Sequence, residues 1–414
     1  MTRPAGTPRA IRLCAAATSA LAALVVASGA LAQDANQATV NQVQLGDIFA
    51  QQTLHVDEAP NGTSATSTAV GNSATAVGSG STMDYEGVQE VNAEVHAKSN
   101  MSVSGDSGTG LYVTTSATGN TATAGTCCAA TTGTSTQTID AYHGVTAESY
   151  AYAGNGADTV SVDSVALGNT TGYEAVNGAV NTSTVQTHYG TTDAETGANI
   201  GSANEASYTA TAVANNVTTD ASNSSVNQSV SQTADGYATL ANVAATQGYS
   251  IDATAAATAT ANNINVVADS YGASLTSDQL STKDVSANAS LTLDNWSGSA
   301  TSSAYGVANS AIVSNSGSYT GVTAEQTNQG AVTVTATLNG GAGGDALGSA
   351  TGVGNAVSGY ACVTCNGVVS ASSTQVNTGG VSATSTVTGR TVNSATGIST
   401  AIGNTASYVV KSGG

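Results

Sequence analysis

A glutamine recurs about every 47 residues along this 414-residue chain, and any fold proposed for it must honour that period. The positions are Gln42, Gln89, Gln137, Gln186, Gln232, Gln279, Gln326 and Gln375. Roughly thirty residues after each, a run of small residues ends in Gly-Asn or Ala-Asn, at Asn72, Asn120, Asn169, Asn215, Asn262, Asn309, Asn355 and Asn404. A unit of this kind must bury its apolar face against the next unit. The period therefore predicts a stacked array and not a globule around one pocket. We read residues 33–414 as eight repeat units that start near those glutamines.

The local pattern is that of strands. In the sixth unit, residues 285–294 alternate small or apolar side chains with polar ones, and residues 302–309 and 311–315 follow as two further strand-like segments. Period-two alternation marks a half-buried strand. Ala-rich runs such as 253–261 are broken by Thr, which prefers strands to helices. Gly and Asn punctuate the segments where turns need positive φ. Inward Ala, Ser, Thr and Val fill only a thin core, so the expected fold is all-β, an elongated β-solenoid or β-helix.

Amides at one phase of such a stack can bond to each other as Asn or Gln ladders, the structural role expected of the recurring pair. Two geometries stay open. Two rungs per unit would separate successive glutamines by about 9.6 Å, too far to bond, whereas one large three-sided rung would place them about 4.8 Å apart. Either way the terminal rungs expose strand edges, which invite further strands.

Arg3, Arg9 and Arg12 precede an apolar stretch over residues 13–30, and Ala30, Leu31 and Ala32 form a small-x-small cleavage site. Residues 1–32 are thus expected to be a secretory signal peptide. No later run approaches the roughly 18 apolar residues of a spanning helix, so the exported chain is expected to lack a transmembrane span of its own. Residues 33–414 keep four basic residues, Lys98, Lys283, Arg390 and Lys411, against 26 acidic ones, a formal charge of −22. Such a surface excludes nucleic acid, whose phosphates need basic partners. Scarce large aliphatics can signal disorder, but here the composition is periodic, rich in Thr and Val, and has Pro60 as its one proline after the leader.

The cysteines, the histidines, one Gly-rich segment and the tyrosines are the other residues with chemistry to offer. Cys127 and Cys362 each lie seven residues past an asparagine and so share a phase, yet five units separate them, too far for one disulfide. A local Cys362–Cys365 bridge is expected, with Cys127 and Cys128 paired either to each other or to another molecule. His55, His96, His143 and His188 fall in the first four units, and His96 and His143 occupy nearly one phase. They lack recurring carboxylate or thiolate neighbours and are expected to face solvent. Residues 340–348 match a calcium-binding β-roll nonapeptide around Asp345, but the motif occurs once, and such sites form between successive copies. No cofactor is therefore expected beyond that single calcium candidate. Tyr305, Tyr360 and Tyr408 recur near the asparagine strand, as a structural tyrosine ladder or as a sugar-stacking surface.

Taken over its full length, from signal peptide to Val409, Val410 and Lys411, the chain resembles the alphaproteobacterial holdfast attachment protein D family. The resemblance lies in the secretion signal, the Ala-Thr-Ser-Gly-Asn-Val strands, the recurring amides and the acidity. It implies a secreted adhesion protein on the bacterial outer surface that anchors holdfast polysaccharide to the envelope. It also implies companion anchor proteins related to curli components, association with the outer membrane through them, and no catalysis. Two alternatives belong to other classes. One is a curli-like fibre subunit, hence a homo-oligomer, growing from the open edges. The other is a polysaccharide-cleaving β-helix enzyme, which needs a carboxylate cluster with a cationic electrophile, and no such cluster is visible in the linear sequence.

Overall fold

The computed structural model describes residues 35–140, 142–269, 272–362 and 367–410. The expected signal peptide and Cys365 lie outside the described residues. The described chain is all-β, without a helix, and all its strand ladders are parallel. It winds in wide coils, each bringing three walls together.

The glutamine wall consists of short strands from Ala35–Gln44 to Val368–Asn377, joined in an eight-stranded sheet. Gln42 is the register partner of Gln89, Gln89 of Gln137, and the series continues to Gln326 with Gln375. Each glutamine thus neighbours the next one in sequence. That decides between the two geometries: one large coil per period.

The second wall begins with Ile48–Val56, Val95–Val103 and Val145–Ala153. The third begins with Thr63–Ser79, Gly110–Cys127 and Ala157–Val176. From the fourth coil onward both walls often run as one strand, as in Thr192–Ser222 and Thr239–Ala268. The expected split between 302–309 and 311–315 is not seen, because Ser299–Asn315 is a single strand that passes through Asn309. The remaining wall of that coil is the glutamine strand Ala273–Ser281.

A bend at each asparagine explains why the two segments looked separate. Thr260 pairs with Val307 and Asn262 with Asn309, so Ala261 and Ala308 drop out of the register. The residue before the asparagine is always Gly or Ala. A Cβ on Gly119 would lie 2.5 Å from Ile139 Cδ1, so only the smallest side chains fit inside the bend.

The bend divides the interior into two apolar clusters. One packs the second wall against the first half of the third, with Val95, Leu111, Val162 and Leu291. The other packs the glutamine wall against the second half, with Tyr85, Val226, Ile264 and Leu275. Buried amides lie along the division. Gln232 Nε2 donates to Gln186 Oε1 and to Asn263 O, both at 2.9 Å. Asn215 Nδ2 donates to Asn262 Oδ1 at 2.9 Å and to Thr233 O at 3.0 Å. Both amide hydrogens are used, one along the stack and one across the coil, which is what an amide needs to be buried without loss.

Candidate functional site

The outward face of the second wall carries a group of ionisable and aromatic side chains in mutual contact. Parallel register sets like positions side by side, giving a row of Gln51, Lys98, Glu148, Glu195 and Asn242. Beside it runs a row of Phe49, His96, Thr146 and Asp193. Lys98 Nζ reaches Glu148 Oε2 at 2.5 Å and lies 5.1 Å from the Tyr150 ring centre. His96 stands between Glu94 at 3.9 Å and Glu148 at 3.6 Å, with Phe49 edge-on at 5.9 Å between ring centres.

Carboxylates outnumber the single ammonium, and the consequences appear in their acidity. Burial, then Glu195 and Glu148, push the Asp193 carboxyl up to about 6. Burial and a hydrogen bond to Glu195 raise the Tyr150 phenol well above its ordinary value. The Tyr150 ring lies over Gly197, where a Cβ would come within 2.6 Å of Cδ1. A shallow groove alongside is lined by His55, Asn100, Ser102, Tyr150, Tyr152 and Asn199.

The linear sequence hid this cluster, contrary to the expectation that none existed. Lys98 and Glu195 each lie nine residues past their glutamines, Gln89 and Gln186, but Glu148 lies eleven past Gln137. The corner of that coil, between Ile139 and Val145, is two residues longer than the one between Val91 and Val95. Aligned on the residues that open the second-wall strands, Ile48, Val95, Val145 and Thr192, the units place Gln51, Lys98, Glu148 and Glu195 at one position. No three His, Cys, Asp or Glu side chains converge as a metal site among the described residues.

The other candidates are dispersed. His96 and His143 do not share a phase, since His96 pairs with Phe49 and Thr146 whereas His143 sits in a corner 3.7 Å from Asp140. His188 does not face solvent: it is fully buried, donating or accepting with Thr192 Oγ1 at 3.0 Å through Nε2 and contacting Lys283 Nζ at 2.6 Å through Nδ1. Lys283 is fully buried too and also donates to Gly190 O. Burial pulls its ammonium down to about 7, and holds His188 in its neutral form.

Cys127 and Cys128 are exposed thiols at a corner, and Cys128 takes φ 72° where Gly80, Asn177 and Asn223 in other coils are also left-handed. Cys362 stands at the equivalent corner, and its expected partner Cys365 is not among the described residues. The glycines around Asp345 have a packing reason. Cβ atoms on Gly340 and Gly343 would lie 2.3 and 2.1 Å from the Trp296 ring, whose Nε1 donates to Asp345 O at 3.2 Å. Asp345 itself accepts from Ser394 Oγ at 2.7 Å. The three tyrosines form no ladder: Tyr305 pairs with Thr351, Tyr360 with Ser314 and Val409, and Tyr408 with Gly359.

Fold and surface together define a protein of parallel β coils that displays its reactive side chains on an open wall and not in an enclosed cleft. The chain belongs to the holdfast attachment protein D (HfaD) family, whose profile matches residues 56–332. That family is adhesion-related and not an enzyme family, and it gives the chain a holdfast-attachment role at the cell surface. No curated protein and no solved structure matches the chain. Among the described residues no helix is long and apolar enough to cross a membrane.

Proposed function

We propose that this protein is a secreted structural scaffold that anchors the holdfast polysaccharide to the cell envelope, held at the outer membrane through companion anchor proteins. In this reading residues 1–32 are removed on export and residues 33–414 form an eight-turn β-solenoid. The family match carries the proposal. The wall around Tyr150 and Glu148 supports it, because aromatic faces beside carboxylates and amides suit hydroxyl-rich polymers, and weak contacts repeated over many sites add by multivalency. A single calcium ion near Asp345 is compatible with this role and is not required by it.

Deletion combined with cell-surface labelling tests the reading. The expected outcome is cells that still make holdfast polysaccharide but shed it from their surface. Unchanged adhesion, or loss of polysaccharide synthesis itself, would refute anchoring.

A further inference from the structure

The two ends of the coil stack are complementary in hydrogen bonding, register and charge. We propose that they bind each other, so that copies of this chain associate head to tail. The inference stands on the end coils alone and does not depend on the ligand of the second wall.

The amide ladders have direction. Along the glutamine wall each Nε2 donates back to the preceding coil, from Gln89 to Gln42 at 2.7 Å through to Gln375 to Gln326 at 2.8 Å. Along the bend each Nδ2 donates forward, from Asn72 to Asn120 at 2.9 Å through to Asn355 to Asn404 at 2.7 Å. The two ladders run in opposite senses. On the first coil, Gln42 therefore has an amide hydrogen without a ladder acceptor, and Asn72 has an oxygen without a ladder donor. On the last coil the roles reverse, with Gln375 offering an oxygen and Asn404 a hydrogen. A last coil placed on a first coil completes both ladders, whereas like ends meet donor to donor and acceptor to acceptor.

Register agrees. Gln42 and Gln375 are 333 positions apart, and Ala35–Gln44 and Val368–Asn377 are both ten residues long, beginning and ending at that offset. Ile48 and Val381, which open the next strands, keep the same offset of 333. Asn72 and Asn404 differ by 332, a one-residue change like those between neighbouring coils inside the stack, where Gln-to-Gln steps are 46 to 49.

Charge agrees as well. From residue 34 to 79 the sequence holds Asp34, Asp47, Asp57 and Glu58 with no Lys or Arg, and from 368 to 414 it holds Arg390 and Lys411 with no Asp or Glu. At the offset of 333, Arg390 falls opposite Asp57, and both are exposed. Nothing among the described residues covers either end: inward-facing Ile48 and Leu54 on the first coil and Val381 and Val387 on the last are only partly buried, whereas their register partners Val95, Met101, Val332 and Leu338 are buried. Uncapped strand edges of this kind are templates for pairing. A second copy of the chain is the occupant whose hydrogen bonds, strand lengths and charge all fit.

Sedimentation of the purified protein, as its host delivers it, tests the proposal at several concentrations and salt levels. Wild type should form a concentration-dependent series that shortens as salt rises, with an axial repeat of about 38 Å per copy from eight coils of about 4.8 Å. Arg390→Glu should associate roughly tenfold more weakly at low salt, and so should Asp57→Arg with Glu58→Arg. Mixing the two variants should restore wild-type association, because each then presents the end that the other needs. Circular dichroism confirms that the sheet persists in both, and the salt series on wild type gives a reading that no folding defect can disturb. A monomer at all concentrations and salts, wild-type association by Arg390→Glu, or a mixture no stronger than its components would each overturn the proposal.

Discussion

Replacing Asn215 by Ala removes three hydrogen bonds from the centre of the stack. Asn215 is fully buried, donates to Asn262 Oδ1 and Thr233 O, and accepts from Asn169 Nδ2. After truncation, Asn262 Oδ1 and Thr233 O lose a donor where water has no access, at about 1–3 kcal/mol each. Asn169 Nδ2 keeps Thr187 O for one hydrogen but loses the acceptor of the other, a third unpaired group of the same kind. The total is about 3–9 kcal/mol, and no apolar gain offsets it, because Ala leaves a small void. At the exposed end the same change should cost less than about 1 kcal/mol, since water replaces the lost partners of Asn404. There Asn404 accepts from Asn355 and donates to Gln375 O at only 3.4 Å. Urea unfolding followed by far-UV circular dichroism measures both variants against wild type. Equal shifts in midpoint for Asn215→Ala and Asn404→Ala would refute the claim that burial, and not the amide as such, gives the ladder its strength.

Gly343→Ala drives a methyl to 2.1 Å from the Trp296 ring. It should destabilise by about 1–3 kcal/mol and shift the fluorescence of Trp296, the one tryptophan of the chain. Lys283 titrates near 10.5 when unfolded and about 7 when folded. Between those values the unfolded chain binds more protons, so wild-type stability should rise from pH 7 towards pH 10.5. Lys283→Met should flatten that slope in a series of melting curves and raise stability most at or below pH 7. Asp193 behaves in the opposite sense, with a folded value of about 6 against 3.8. The folded chain binds more protons in that window, so stability should fall as pH rises through it, and Asp193→Asn should gain stability above pH 6 relative to wild type while matching it below about pH 4. Unfolding midpoints at pH 4 and pH 8 measure the difference.

The period of about 47 residues and the alternation within each unit belong to the sequence, and they were enough to read strands and stacking. What they left open were contacts that depend on where corners fall. The cluster of Lys98, Glu148, Glu195 and Asp193 was scattered over nearly a hundred positions, and a longer corner put Glu148 out of step with its neighbours. His188 and Lys283 stand 95 residues apart and meet only because the lysine stem spans two coils, past Ala234. The glycines near Asp345 read in the sequence as a Gly-rich turn with a single match to a calcium motif, and only the fold shows Trp296, 49 residues before Asp345, packed against them.

Sequence by itself determined that this chain would be β and would stack, because side-chain alternation and repeat spacing are local properties that survive in a linear text. Tertiary structure alone decided that each period closes a single coil, that the two amide ladders point in opposite directions, and which charges share a wall. Those outcomes depend on strand register, and register is fixed by the bends at Gly-Asn or Ala-Asn and by corner lengths acting together across neighbouring coils.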